Sequence, residues 1–370
     1  MENKEKEKKK EKANTGISLY ALKEFVKRDL ENENINEAEE KAYIFVMDFF
    51  NIETKKDFII KKHEDISNFL EKDGKRFFEA LEKIKKMPIE YVTNKKYIYD
   101  SFFYVKEGVL IPRNDTEIII DVSVKDIKRN ILNQLDELEK NKEKENNINL
   151  NILDLCAGSG AIGVSVLKEI LKFLNSEDIK KRLENLNIGY EDLNINFCFI
   201  DISDIALDVL NINIKNILLN NKEFEKFNLI NKIIVLKSDL FEELNKALEK
   251  YKEVNGKDVM PDYKFQYVLS NPPYIKTKEV ELLSSDVKCE PHLALDGGKD
   301  GLDYYKKILI TGKEFFKKDS KIFFEIGYNQ AEDISEIIKN INEENALNFN
   351  LKRVIKDIEG RDRTLEIEYN

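Results

Sequence analysis

The sequence of 370 residues predicts an α/β protein, a mostly parallel sheet layered with helices behind a small helical domain and a β-hairpin linker. Three observations carry that expectation. From residue 151 onward, short apolar runs alternate with longer amphipathic stretches, as strands and helices do when they take turns along a parallel sheet. The first of those runs leads straight into the small-residue turn Cys156-Ala157-Gly158-Ser159-Gly160 and then a helical segment. Residues 18–86, by contrast, carry apolar side chains at three- and four-residue spacing, with no strand-like run among them.

Length supports more than one domain, because single hydrophobic cores stop growing near ~250 to 300 residues. We expect a disordered charged tail at 1–15, a helical N-terminal domain at 16–87, a hairpin linker at 88–110 and the α/β domain at 111–370. The tail reads MENKEKEKKKEK and has no apolar stretch of the kind a secretory signal needs. A composition of 42% hydrophobic and 36% charged residues suits a soluble globular chain, and the apolar stretches are strand-length, too short for a membrane span. Three scattered cysteines, Cys156, Cys198 and Cys289, have neither metal-type nor redox spacing, so no metal is expected and a cytoplasmic setting fits. A formal charge of −10 argues against a broad phosphate-binding face, and no stable nucleic-acid binding is expected.

Element by element, the helical stripe shows in Leu22, Phe25 and Val26 and again in Ile44, Phe45 and Met47. After Pro88, residues 89–104 turn to β-type segments rich in Tyr, Val and Ile, with Asn94 at a turn. A helix is expected to start near Asp115 or Thr116, both good N-cap types. The polar tract 141–147 reads as a surface excursion. Strands follow at 151–155, 196–200, 232–237 and 265–269, with an inserted helix near 176–187 that buries Leu183 and Leu186. Residues 349–355 and 363–368, joined by a turn at Glu359 and Gly360, should close the sheet as an antiparallel pair.

The turn Cys156 to Gly160 sits where backbone can approach a ligand closely and helix N–H groups can face it. Such a turn serves nicotinamide, flavin and methionine-derived cofactors alike. Asp201, at the end of the next strand, is placed to accept both hydroxyls of a ribose, with helix N-capping as the competing role. Its distance from the loop exceeds the usual ~20 residues, which the inserted helix accounts for. Asp239, after the third strand, is placed to accept from an adenine amino group while Leu240 covers a ring face, N-capping again being the alternative.

The most specific feature is Asn271-Pro272-Pro273-Tyr274, directly after a strand. A planar NH2 group is a poor nucleophile because its lone pair is delocalised. Two acceptors, the Asn271 side-chain oxygen and the Pro272 carbonyl, would hold both N–H bonds and leave the remaining lone-pair direction aimed at a methyl group. Proline fixes φ and carries no N–H, so the stretch presents carbonyls rigidly. Tyr274 can stack on the planar group and place its ring against a sulfonium, and Pro273 completes the turn. Catalysis is therefore assigned to Asn271, Pro272 and Tyr274, and substrate holding to Asn271, Pro272, Pro273 and Tyr274.

From about residue 86 to the C-terminus the chain resembles the HemK/PrmC family of release-factor glutamine methyltransferases. The resemblance rests on Gly108-Val109-Leu110-Ile111-Pro112-Arg113-Asn114-Asp115-Thr116-Glu117, on Leu153-Asp154-Leu155 with its loop, and on Asn271 to Tyr274. It continues in the run from Glu290-Pro291-His292 through Asp296-Gly297-Gly298 to Asp300-Gly301-Leu302, in Phe324-Glu325-Ile326-Gly327 and in Gly360-Arg361-Asp362-Arg363. It implies a seven-stranded Rossmann-like class I methyltransferase domain using S-adenosyl-L-methionine. Cys156, Ala157, Gly158, Ser159, Gly160, Asp201, Asp239, Leu240 and Asn271 would meet that cofactor, and Asn271 to Tyr274 the substrate. The implied substrate is the glutamine of a Gly-Gly-Gln loop in class I peptide chain release factors. Cys156 departs from the family, which usually has a glycine there, and this matters if the position needs positive φ. Arg113 is open between a ligand contact and an ion pair, and His292 is not needed as a base, since amide methylation needs no early proton removal.

The rival readings are a glutamine methyltransferase acting on a ribosomal protein and a nucleic-acid N6-adenine methyltransferase, whose target amine is also planar. A nicotinamide dehydrogenase would share the glycine turn but give no use to Asn271 to Tyr274.

Overall fold

A computed structural model describes residues 16–140, 147–255 and 264–370. The expected tail at 1–15 and all but the last residue of the tract 141–147 lie outside the described residues. Two compact units emerge, one formed by the chain up to Asn94 together with Ser285–Cys289, the other by Lys95–Ser284 and Glu290–Asn370.

In the first unit, helices Leu19–Asn32, Ala38–Phe49, Lys55–Lys61 and Ser67–Ile84 pack around Leu22, Val26, Phe45 and Phe77. Ser18 and Thr54 cap two of them, accepting from Ala21 N and Asp57 N. Phe25 and Ile44 leave the stripe assigned to them and stay 48% and 41% exposed, because the buried arc is narrower than the spacing alone suggested. Residues 89–93 depart from the expected strand. Pro88 stands at the N-cap, Ile89–Thr93 is a helical turn, and Asn94 ends it at φ 55°, so end-cap chemistry overrides the β propensity of Tyr and Val.

The second unit begins with the hairpin β1 (Lys95–Ile98) and β2 (Ser101–Tyr104), whose turn residues Tyr99 and Asp100 both have positive φ, as a tight hairpin requires. A short 3-10 turn, Asn114–Thr116, then opens helix Glu117–Lys140. The main sheet comprises β3 (Asn149–Leu155), β4 (Asn194–Asp201), β5 (Ile233–Lys237), β6 (Phe265–Ser270), β7 (Phe316–Glu325), β8 (Phe349–Lys356) and β9 (Asp362–Tyr369). Their spatial order is β5-β4-β3-β6-β7-β9-β8, with β9 antiparallel to both its neighbours and all other pairs parallel. This is the seven-stranded, Rossmann-like sheet the resemblance implied, and it includes the antiparallel closing pair.

Chain order reverses beside β3, which has β4 on one side and β6 on the other. Such a switch point opens a crevice at the carboxyl ends of the strands. The inserted helix is present as Glu177–Leu186, with Leu183 buried and Leu186 half-buried against the same core.

Candidate active site

The crevice at the switch point is a cavity within the second unit, walled by the turn after β3, the ends of β4 and β5, and Asn271 after β6. Cys156, Ala157, Gly158, Ser159, Asp201, Asp239, Leu240, Asn271 and Pro273 all line it. Gly160, Pro272 and Tyr274 do not. Gly160 lies behind the wall as the N-cap of helix Ala161–Leu174, with φ at 81°.

The turn after β3 is held from several directions. Gly158 N donates to Asp201 Oδ2 at 2.8 Å, and Ala157 N donates to Ile200 O at 3.0 Å. Asp154, almost fully buried, accepts from Gly163 N at 2.8 Å, and burial pushes its carboxyl up to about 7. Cys156 adopts φ 60°, so the departure from glycine falls at a position that does require the left-handed region. Leu240, on the opposite wall, is also left-handed, at φ 49°. Two strained non-glycine residues on one cavity fit a site whose geometry is fixed for function rather than for local comfort.

Asp201 is not a helix cap: Ser203 takes that place before Asp204–Asn213, its side chain accepting from Ala206 N. Asp201 Oδ1 accepts from Ser203 N at 2.9 Å. An ionised carboxylate has about four lone-pair sites, so two bonds to backbone leave room for a diol. Burial raises its pKa. Ser238, rather than Asp239, accepts from the backbone of the following turn, at Glu243 N. Asp239 is half-buried at the cavity and no hydrogen bond to another described residue engages its carboxylate. The open space beside Gly158 and the Asp201 and Asp239 carboxylates at the cavity leave room for a cationic nucleoside cofactor.

Two side chains missed in the sequence position these loops. Asn213, fully buried, donates to Ser159 O at 2.9 Å and Tyr104 O at 3.0 Å and accepts from Tyr104 N at 2.7 Å, tying the glycine turn to β2. Gln330 donates to Tyr274 O at 3.0 Å and to Gly301 O at 3.1 Å while accepting from Gly327 N at 2.8 Å. Nothing in the sequence marks either, since an Asn or Gln that bonds distant backbone carries no local signature.

The Asn271 to Tyr274 stretch is braced by the Asp296-Gly297-Gly298 loop. Gly297 N donates to Ile275 O at 2.8 Å, Ile275 N donates to Leu295 O at 3.0 Å, and a β-carbon on Gly297 would lie 2.6 Å from Pro273 O. Glycine there is a requirement of close backbone approach. The Tyr274 ring is half-buried, and burial moves its phenol well above the usual range. Arg113 pairs with Glu290, which also accepts from Ile111 N at 3.0 Å, so the ion-pair alternative is the one realised. His292 is exposed, its Nε2 3.8 Å from Asp296 Oδ2.

No protein-family profile matches the chain. Individual proteins do. It is 32% identical over 298 residues to a release factor glutamine methyltransferase of Clostridium botulinum, covering 80% of this chain and 81% of that protein. A release factor glutamine methyltransferase of Clostridium acetobutylicum is 31% identical over 268 residues, 72% of each chain. A bifunctional methyltransferase of Rickettsia typhi is 32% identical over 312 residues, 84% of this chain but 49% of that protein, so the chain spans about half the length of that relative. With a fold and a cavity of this kind, and similarity covering more than two thirds of both this chain and each of the two Clostridium proteins, the chain belongs to the release factor glutamine methyltransferase family.

Proposed function

We propose that the protein transfers a methyl group from S-adenosyl-L-methionine to the side-chain amide nitrogen of the glutamine in the Gly-Gly-Gln loop of a class I peptide chain release factor. The observation that carries this reading is that Asn271 and the turn Cys156 to Ser159 wall one cavity. The cofactor, when bound, supplies an electrophilic methyl carbon on a sulfonium. Cys156, Ala157, Gly158 and Ser159 would hold it by backbone, Asp201 by its ribose, and Asp239 and Leu240 by its adenine, with Gly160 behind them shaping the turn as the helix N-cap.

Asn271 Oδ1 and the Pro272 carbonyl accept the two N–H bonds of the glutamine amide, which turns its nitrogen lone pair toward the methyl carbon. Pro273 and Tyr274 complete the seat, the Tyr274 ring stacking on the planar amide. The bound cofactor would supply the methyl carbon, its sulfur keeping the electron pair of the S–C bond as the N–C bond forms, and the amide nitrogen would then release a proton to solvent. Orientation is the main catalytic contribution, and well-aligned groups recover ~7 to 11 kcal/mol of a barrier.

Mass spectrometry of a purified class I release factor incubated with the protein and S-adenosyl-L-methionine tests the proposal. One added methyl on the Gly-Gly-Gln glutamine is the expected result. No transfer there, with cofactor binding intact, overturns the substrate and redirects the search to ribosomal-protein glutamines and adenine amines.

A further inference from the structure

β6 and β7 are parallel neighbours with Ser270 opposite Phe324, so Asn271 and Glu325 stand side by side where the two strands end. Glu325 is 2% exposed and its Oε2 has no hydrogen-bond partner among the described residues. Thr364, opposite Glu325 on β9, and Thr116, on the cavity wall, likewise have buried hydroxyls without partners. A buried unsatisfied polar group costs about 1–3 kcal/mol, so an orphan carboxyl behind the reacting-side asparagine calls for a function.

The charged groups around it do not supply a partner. Arg363 is engaged by Asp115 and Asp357, each at 3.0 Å, and Arg113 by Glu290. Tyr305 Oη is spent on the Glu325 backbone oxygen at 2.9 Å. Asn271 and Thr116 are the polar neighbours near enough to pull the Glu325 carboxyl down, against burial that raises it.

We propose that Glu325 is the positioning residue for Asn271: its Oε2 accepts from Asn271 Nδ2, which fixes the amide so that Oδ1 faces the substrate nitrogen. This rests on the methyl-transfer reading for its consequence, though not for the contact itself. An asparagine amide left free can turn by half a revolution and present N–H donors where acceptors are needed. A carboxylate on the far side accepts only, and so selects one orientation.

Two measurements test it. In a double-mutant cycle on single-turnover methyl transfer, Glu325→Leu should slow the native enzyme about 10- to 100-fold, with cofactor affinity and release-factor KM within about twofold. In an Asn271→Ala background it should change the rate by less than about threefold, since it acts through Asn271. Equal losses in both backgrounds overturn the proposal. Glu325→Gln, which keeps shape and an acceptor, should restore part of the rate, and it serves if the leucine variant does not fold.

The contact is also readable without any substrate. In nitrogen-15 spectra of the full chain with S-adenosylhomocysteine, the side-chain NH2 signal that Asn271→Ala removes should titrate with pH in the native protein and stay fixed in Glu325→Gln. A signal indifferent to both pH and Glu325→Gln overturns the proposal whatever the activity. A titrating signal in a protein that methylates no glutamine counts against the substrate reading alone.

Discussion

At Gly160 and Gly158, neighbours in one turn, the same substitution has unequal consequences. Both have positive φ, which costs an L side chain roughly 1–2 kcal/mol. A β-carbon at Gly158 meets nothing within 4 Å, whereas at Gly160 it would fall 2.3 Å from Leu210 Cδ1. Gly158→Ala should therefore destabilise by about 1 kcal/mol, and Gly160→Ala by about 2–4 kcal/mol once overpacking is added, as urea midpoints will show. Asp154 gives a pH test. Its pKa rises on folding from 3.8 to about 7, so between those values the native state holds a proton the unfolded chain lacks, and stability falls as pH rises through that window. Asp154→Asn, which cannot ionise, should gain on the native protein as pH rises from about 4 to about 7; a difference independent of pH would contradict the burial argument.

Elements bring together what no residue determines alone. The Asp296-Gly297-Gly298 loop, joined to the chain beyond Tyr274 by a parallel bridge between Ile275 and Asp296, gives the proline turn its rigid backing. Gly297→Ala would drive a methyl into the Pro273 carbonyl, and turnover should fall about 100-fold while the fold and cofactor affinity persist. Asn213 plays a comparable part for the glycine turn, and Asn213→Leu should cost about 2–3 kcal/mol by orphaning the Ser159 and Tyr104 backbone groups and also weaken cofactor binding in calorimetry. Neither link was legible in the chain. The strand, turn and helix around Cys156 to Gly160 were, because hydrophobic period and small residues are local signals. The short helix at Ile89–Thr93 was not, since five residues rich in Ile, Tyr and Val have too little period to outweigh propensity and only the caps decide them.

For the whole molecule, a ligand that binds the folded second unit must stabilise it. S-adenosylhomocysteine at 100 times its Kd should contribute about 2.7 kcal/mol. That corresponds to roughly 5–10 °C in melting temperature for a unit of this size. Hydrogen exchange should slow most at Cys156–Gly160, Asp201 and Asp239, and protection elsewhere without protection there would contradict the assigned cofactor site. The sequence by itself determined a mostly parallel α/β sheet, its closing pair, and the turn at Cys156 to Ser159 and the Asn271 position that wall the cavity, because periodicity, strand-end placement and proline chemistry are written locally. Only the tertiary structure decided that Cys156 bears positive φ, that Arg113 pairs with Glu290, and that the buried Glu325 carboxyl ends up beside Asn271. Those outcomes depend on which strands become neighbours, and a partner brought from far along the chain by strand pairing leaves no trace in the spacing of residues.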